Sequence, residues 1–260
     1  MMAGVIFGFL SPETQARILL EERAKANRAM ASALPWPQAR FDKLVGIQAS
    51  TFAGVVEPHL WPGIRPVGIG RNDVNEAAAD QRVDFGRWRY AIRNLPAGSC
   101  LSVFQGSRQG RIVFDGDVLV PGIWRKSYDG YGSNPVMSIT PMEVWSLSPG
   151  VRAAKGHVVV AGLGLGWSLL AISRKRTVNR ITLVERDADL LGEVYPRIEP
   201  LLGKAEVEVL VDDAERLVPT MKADVAVVDI ADDYGSNTFP RCPHVGRVWV
   251  WGAANLGEGW

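Results

Sequence analysis

The sequence predicts an α/β protein: a Rossmann-like, mostly parallel sheet with helices on both faces, preceded by a smaller N-terminal helix and β-rich region. Three observations carry this expectation. The apolar run His157-Val-Val-Val-Ala161 ends in alternating glycines, Gly162, Gly164 and Gly166, with a helical stretch from Ser168 to Arg174 behind them. From Gly156 onward apolar strands alternate with short helices, the pattern of a parallel sheet covered on both faces. From Phe41 to Gly116 the text is irregular, with Pro and Gly punctuating short β-like runs. These changes of texture divide the chain into an arm and helix over 1–40, a small β-rich region over 41–134 and a Rossmann-like domain over 135–260.

In chain order, Met1 to Leu10 is apolar but short and lacks a basic leader, so it reads as a strand or packing arm and not as a signal peptide. Ser11 is an N-cap, Pro12 sits at the first helical position and Glu13 favours the first turn. That helix is expected to run to about Leu34, where Pro35-Trp36-Pro37 stops it, with a solvated outer face of Glu21, Glu22, Arg23, Lys25 and Arg28. Trp88 to Ile92 and Leu101 to Phe104 are strand-like. Arg111 to Asp115 and Val118 to Pro121, joined by Gly116-Asp117, predict a hairpin. The polar stretch Tyr128 to Asn134 predicts a flexible linker or lid. Thr140-Pro141 with Glu143 opens a helix to about Leu147. Strands follow at Val158 to Ala161, Ile181 to Val184, Val207 to Val211, Val225 to Val228 and Arg247 to Trp251, with helices near Ala188 to Tyr195 and Glu215 to Val218.

Composition narrows the function classes. A hydrophobic content of 47% and a charged content of 22% are those of a soluble globular protein. The formal net charge is +1 and the basic residues are scattered, so no global field holds nucleic acid and none is expected as a partner. Cys100 and Cys242 form no C-x-x-C, so neither a zinc site nor a disulfide framework is expected, and a reducing, cytoplasmic setting fits. No apolar run is long enough to span a bilayer, and no membrane partner is expected. His59, His157 and His244 show no ligand spacing, and there is no P-loop or nucleophile elbow.

The glycine turn and the strand ends carry the chemistry. Glycines let a ligand lie against a bare main chain. Glu185 follows the last glycine by about 19 residues at the tip of the second strand, where an acid holds a ribose hydroxyl pair. The spacing is G-x-G-x-G, not the dinucleotide G-x-G-x-x-G, and this tighter form points to S-adenosylmethionine (SAM) over NAD. A glycine turn that merely packs a helix on a sheet is the bland alternative. Asp213 and Ala214 end the third strand: the carboxylate suits an adenine amino group and the alanine leaves room for the ring, while an N-cap role for Asp213 is equally open. Asp229, Asp232 and Asp233 crowd the end of the fourth strand, where like charges need a cation, protons or solvent to offset them. They are the candidate reaction site, with a solvated turn as the alternative.

With those residues in place, the chain resembles the class I SAM-dependent methyltransferase superfamily, and within it the spermidine-synthase-like branch. Asp224-Val-Ala-Val-Val-Asp229-Ile-Ala-Asp232 is similar to the aminopropyltransferase stretch D-V-I-I-V-D-S-S-D. By that resemblance Asp229 and Asp232 fall where the family holds and deprotonates its amine acceptor. Met137 to Glu143, Gly162 to Gly166 and Asp229 to Asp233 also look like an uncharacterised group of methyltransferase-like proteins in bacteriophage and bacterial genomes. The resemblance implies a transferase with SAM as cofactor, a small amine-bearing or cationic acceptor and a possible homo-oligomer. Aminopropyl transfer and a non-catalytic SAM- or nucleoside-binding phage accessory role are its alternatives. Three departures stand out: Val160 where many methyltransferases carry an acid, Leu165 where spermidine synthases carry an aspartate, and little chain after the fifth strand.

Overall fold

Five parallel strands form the sheet of the C-terminal half: β9 (Gly156–Ala161), β10 (Val178–Glu185), β11 (Glu206–Val211), β12 (Ala223–Val228) and β13 (Val245–Val250). Their order is β11-β10-β9-β12-β13 and neighbouring strands run parallel. The chain therefore winds outward from β9 in one direction and then in the other, which opens a crevice between the ends of β9 and β12. The computed structural model describes residues 33–36, 64–68, 73–105, 108–127, 130–131, 134–231 and 237–252, together with Thr14, Arg17, Leu20, Glu21 and Ala24.

The period-2 geometry of a strand sends alternate side chains to opposite faces. Val158 and Val160 of β9 join one core with Ile181, Leu183, Val225, Val227 and Trp249. Val159 and Ala161 join a second core with Val184, Ala226, Val228 and Ala214. Helices α1 (Pro141–Ala153), α2 (Trp167–Ser173) and α3 (Ala188–Ile198) contribute to the first face, and α4 (Ala214–Leu217) to the second. The expected α/β sheet with both faces covered is the observed fold. The strands run a residue or more beyond their expected starts, because hydrogen-bonded pairing continues where apolar patterning fades.

Ahead of it lie β1 (Leu34–Trp36), β2 (Arg82–Phe85), β3 (Trp88–Leu95), β4 (Cys100–Gln105), β5 (Arg108–Phe114), β6 (Val118–Ser127), β7 (Gly130–Tyr131) and β8 (Met137–Ser138). They make two small sheets, β1-β5-β4 and β2-β3-β6-β7, with β8 paired to β6. The expected strands at 88–92 and 101–104 are present within β3 and β4. The expected hairpin between β5 and β6 is not formed: β5 pairs with β4 and β1, and β6 with β3, β7 and β8. A two-residue hairpin turn of the favoured kind needs positive φ, and Gly116 does not adopt it. Asp117 turns its carboxylate to the Ala97 N–H at 2.9 Å, so the connection crosses from one sheet to the other. Gly130 and Tyr131 of the expected linker pair with Ser127 and Lys126 as a short strand, so this part of it is ordered into the sheet.

Two further elements depart from expectation. Helix α1 continues past Leu147 and Pro149 to Ala153. Pro149 and Gly150 are buried, and Gly150 lies so close to the Trp249 ring that a β-carbon there would overlap it. Tertiary packing overrides the local breaker. Leu34–Trp36, expected as a helix end and stop, is a strand parallel to β5. Thr14, Arg17, Leu20, Glu21 and Ala24 are helical as expected, whereas Met1 to Leu10 and Ser11 to Glu13 lie outside the described residues. Among the described residues no helix is long and apolar enough to cross a membrane.

Candidate functional site

A cavity of about 310 Å³ opens at the carboxyl ends of the parallel strands, over the crevice between β9 and β12. Gly162, Gly164, Gly166, Glu185, Asp213, Ala214 and Asp229 all line it. One concave surface thus gathers these residues from across more than sixty positions of sequence. Asp232 and Asp233 lie outside the described residues.

Each glycine of the turn has positive φ: +93° at Gly162, +57° at Gly164 and +77° at Gly166. Their missing β-carbons answer to different neighbours. At Gly162 a β-carbon would strike the main-chain oxygen of Asp229, and at Gly166 the side chain of Ile198 on α3. These two glycines let the turn close onto β12 and let α2 pack, without reference to a ligand. At Gly164 the neighbour is the thioether of Met137, the far end of a flexible side chain.

Glu185 closes β10 and is only 8% exposed. One carboxylate oxygen accepts the Leu163 N–H at 2.9 Å and the other accepts the Asp187 N–H at 2.8 Å. Two main-chain donors offset its burial and tie the tip of β10 to the glycine turn. Asp187 caps α3 by accepting the Leu190 N–H at 3.0 Å and pairs with Arg87 of the β2–β3 turn at 2.7 Å. Burial works against the Asp187 charge, but the Leu190 N–H and the Arg87 guanidinium outweigh it and hold the carboxyl below the ordinary range. Asp213 caps α4 by accepting the Glu215 N–H at 2.8 Å, so the capping alternative raised by its sequence position is realised. Asp212 pairs with Arg216.

Two carboxyls face the cavity from opposite elements. Asp229 stands at the end of β12, its own N–H bonded to the Ala161 oxygen at 2.9 Å. Glu143 stands in the first turn of α1 and was not among the expected site residues. Thr140 and Glu143 form a capping box, with the Glu143 N–H given to Thr140 Oγ1 at 3.2 Å. The Glu143 carboxyl accepts from the Ser138 N–H at 3.0 Å and from the Ser138 hydroxyl. Burial pushes Glu143 up to about 7 in spite of those hydrogen bonds. Burial, with the Glu143 charge adding to it, pushes Asp229 up to about 7 as well. The signal for Glu143 was the T-x-x-E spacing itself, which bends the glutamate back over the helix entrance, here the cavity wall.

Met137, Trp167 and Trp251 complete the walls. The Trp251 indole N–H is donated to Ser146 Oγ on α1 at 2.8 Å, holding the end of β13 against that helix. His157, at the opposite end of β9, shares a 3.0 Å hydrogen bond with Thr182.

No protein-family model matches the chain, and no curated protein does. Among solved structures it is similar to spermidine synthase from Thermotoga maritima, with 14% identity and a TM-score of 0.34 over 60% of this chain and 49% of that one. It is also similar to a precorrin 8w decarboxylase from Methanobacterium thermoautotrophicum, with 24% identity and a TM-score of 0.27 over 34% and 47%. A lysine cyclodeaminase aligns at 10% identity and a TM-score of 0.30 over 77% and 61%. The chain thus spans about half the length of the first two.

Proposed function

We propose that the chain is a SAM-dependent transferase, a methyltransferase acting on a small amine-bearing or cationic acceptor. The observation that carries the reading is the gathering of the glycine turn, Glu185 and Asp229 around one cavity at the strand switch point. The residues fit such a ligand: Gly164 is covered only by the flexible Met137 side chain, a buried acid closes the second strand, and small, buried Ala214 lies beside Asp213. The cavity falls at the small end of the range for ligand sites of this kind, roughly 300–1,000 Å³.

SAM supplies the transferable methyl group on a sulfonium. The chain's part is to align the acceptor and take its proton. An amine arrives as an ammonium ion, and the Glu143–Asp229 pair draws it to that wall of the cavity. Asp229, with its affinity for protons raised towards neutrality, accepts one and frees the nitrogen lone pair. The lone pair freed in this way would face the methyl group that a bound SAM would supply. Glu185 holds the ribose and Asp213 the adenine amino group in this reading.

The test is mass spectrometry after incubation of the purified protein with methyl-labelled SAM and a panel of amines, beside Asp229→Asn. Label on an amine, lost in the variant, supports the reading. Binding without label points to a non-catalytic binder, and turnover of decarboxylated SAM alone to aminopropyl transfer.

A further inference from the structure

Met137 belongs to β8, a two-residue strand paired to the side of β6, and its side chain lines the cavity and lies against the glycine turn. Its sulfur accepts the Leu165 N–H at 2.7 Å. The same thioether fills the space that a β-carbon on Gly164 would enter. The two flanking glycines meet parts of the framework: the main chain of Asp229 and the core side chain of Ile198. Those neighbours cannot leave without disturbing β12 or α3. Met137 is half-buried, unbranched and rotatable about several bonds, and methionine adapts to irregular gaps for that reason. A thioether is also a weak acceptor. The Leu165 N–H therefore gains more from an oxygen acceptor than from the sulfur that now answers it.

We infer that Met137 is a specificity-determining plug: its thioether stands where the tail of a bound nucleoside ligand reaches along the glycine turn, and it must swing aside for that tail to enter. The inference rests on the nucleoside reading of the cavity. A short-tailed nucleoside binds whether or not the methionine moves. A ligand with an amino-acid tail binds only the fraction of molecules in which the turn is clear, so its apparent affinity is lowered by that fraction. The position thus sorts ligands by the tail beyond the ribose, independently of Glu185 and Asp213.

Calorimetric titration of the whole chain with adenosine and with S-adenosylhomocysteine provides the test, using Met137→Ala and Met137→Ile. Removing the side chain clears the turn, so Met137→Ala is expected to tighten S-adenosylhomocysteine by about threefold or more while leaving adenosine within twofold. Isoleucine is of similar bulk but stiff at its first torsion, so Met137→Ile is expected to weaken S-adenosylhomocysteine by about tenfold or more and again to spare adenosine. Retained adenosine binding also shows that each variant is folded. Weaker S-adenosylhomocysteine binding in both variants makes Met137 a supporting wall and overturns the inference, as does a parallel change for both ligands. If neither ligand binds the wild-type chain or Met137→Ala, the nucleoside reading fails and the inference falls with it. Binding of both with no change on substitution sinks the inference alone.

Discussion

Glu185 spends both of its carboxylate oxygens on main-chain donors, the Leu163 N–H at 2.9 Å and the Asp187 N–H at 2.8 Å. The acid expected to hold a ribose is therefore also the clasp between the second strand and the glycine turn. Glutamine cannot replace it, because one of its two groups is a donor and would face an N–H.

Glu185→Gln is accordingly expected to lower stability by about 1–3 kcal/mol, the cost of a buried donor left unpaired. Glu185→Ala loses both bonds and is expected to weaken SAM by roughly 1.5–3 kcal/mol as well. Urea denaturation and calorimetry measure the two effects separately. A Glu185→Gln variant as stable as the parent removes the clasp, and unchanged SAM affinity in Glu185→Ala moves ribose recognition elsewhere.

The three glycines are expected to fail in a fixed order. Gly162→Ala would meet a main-chain oxygen and Gly166→Ala a core isoleucine, whereas Gly164→Ala meets a side chain that can turn away. All three carry the penalty of positive φ, about 1–2 kcal/mol for a residue with a β-carbon. Thermal unfolding should therefore rank Gly164→Ala as the mildest. The bulkier Gly164→Val is expected to abolish SAM binding in a chain that still folds by circular dichroism. A Gly164→Ala variant less stable than Gly162→Ala contradicts the order.

The carboxyl pair predicts a pH signature. The Asp229 carboxyl is raised from the ordinary range to about 7, so its burial is tolerated when protonated and opposed when charged. Below about pH 4 the acid is protonated in both folded and unfolded chains, and Asp229→Asn should match the parent. As pH rises from about 4 to about 7 the unfolded chain releases this proton first, and the parent loses stability that the variant keeps. The melting-temperature advantage of Asp229→Asn should grow through that window and level off above it. A pH-independent difference refutes the coupling of this acid to folding. Glu143→Gln should lower the midpoint of the Asp229 titration, read by carboxyl carbon NMR, because a like charge has been removed.

The purified chain is expected to bind SAM and S-adenosylhomocysteine more tightly than NAD, as the G-x-G-x-G spacing suggests. Calorimetry with all three ligands decides it, and tighter NAD binding removes the SAM reading.

The parallel half was legible because its signals are local. Apolar strands of fixed period, a glycine run and acids at strand tips sit within a few residues of one another. The antiparallel half was not, because its partners are chosen at a distance. Nothing within Asp115-Gly116-Asp117 announces that β5 will turn to β1 and β4, or that Asp117 will reach back to Ala97. Gly162, Glu185 and Asp229, expected from their position on their own strands, all line the cavity. Glu143 and Met137 escaped because their side chains enter the cavity from α1 and β8, outside the parallel sheet, and only the packing of α1 on the sheet reveals it.

The close approach of Gly162 to the Asp229 carbonyl bears on how such a cavity can diversify. The spacing between turn and acid is set by main chain against main chain, reinforced by the Asp229 N–H on Ala161. Side chains on the surrounding walls, such as Trp167 and Met137, take no part in that spacing. Substitutions on those walls can therefore reshape the cavity while the distance between the glycine turn and the acid stays as the main chain sets it.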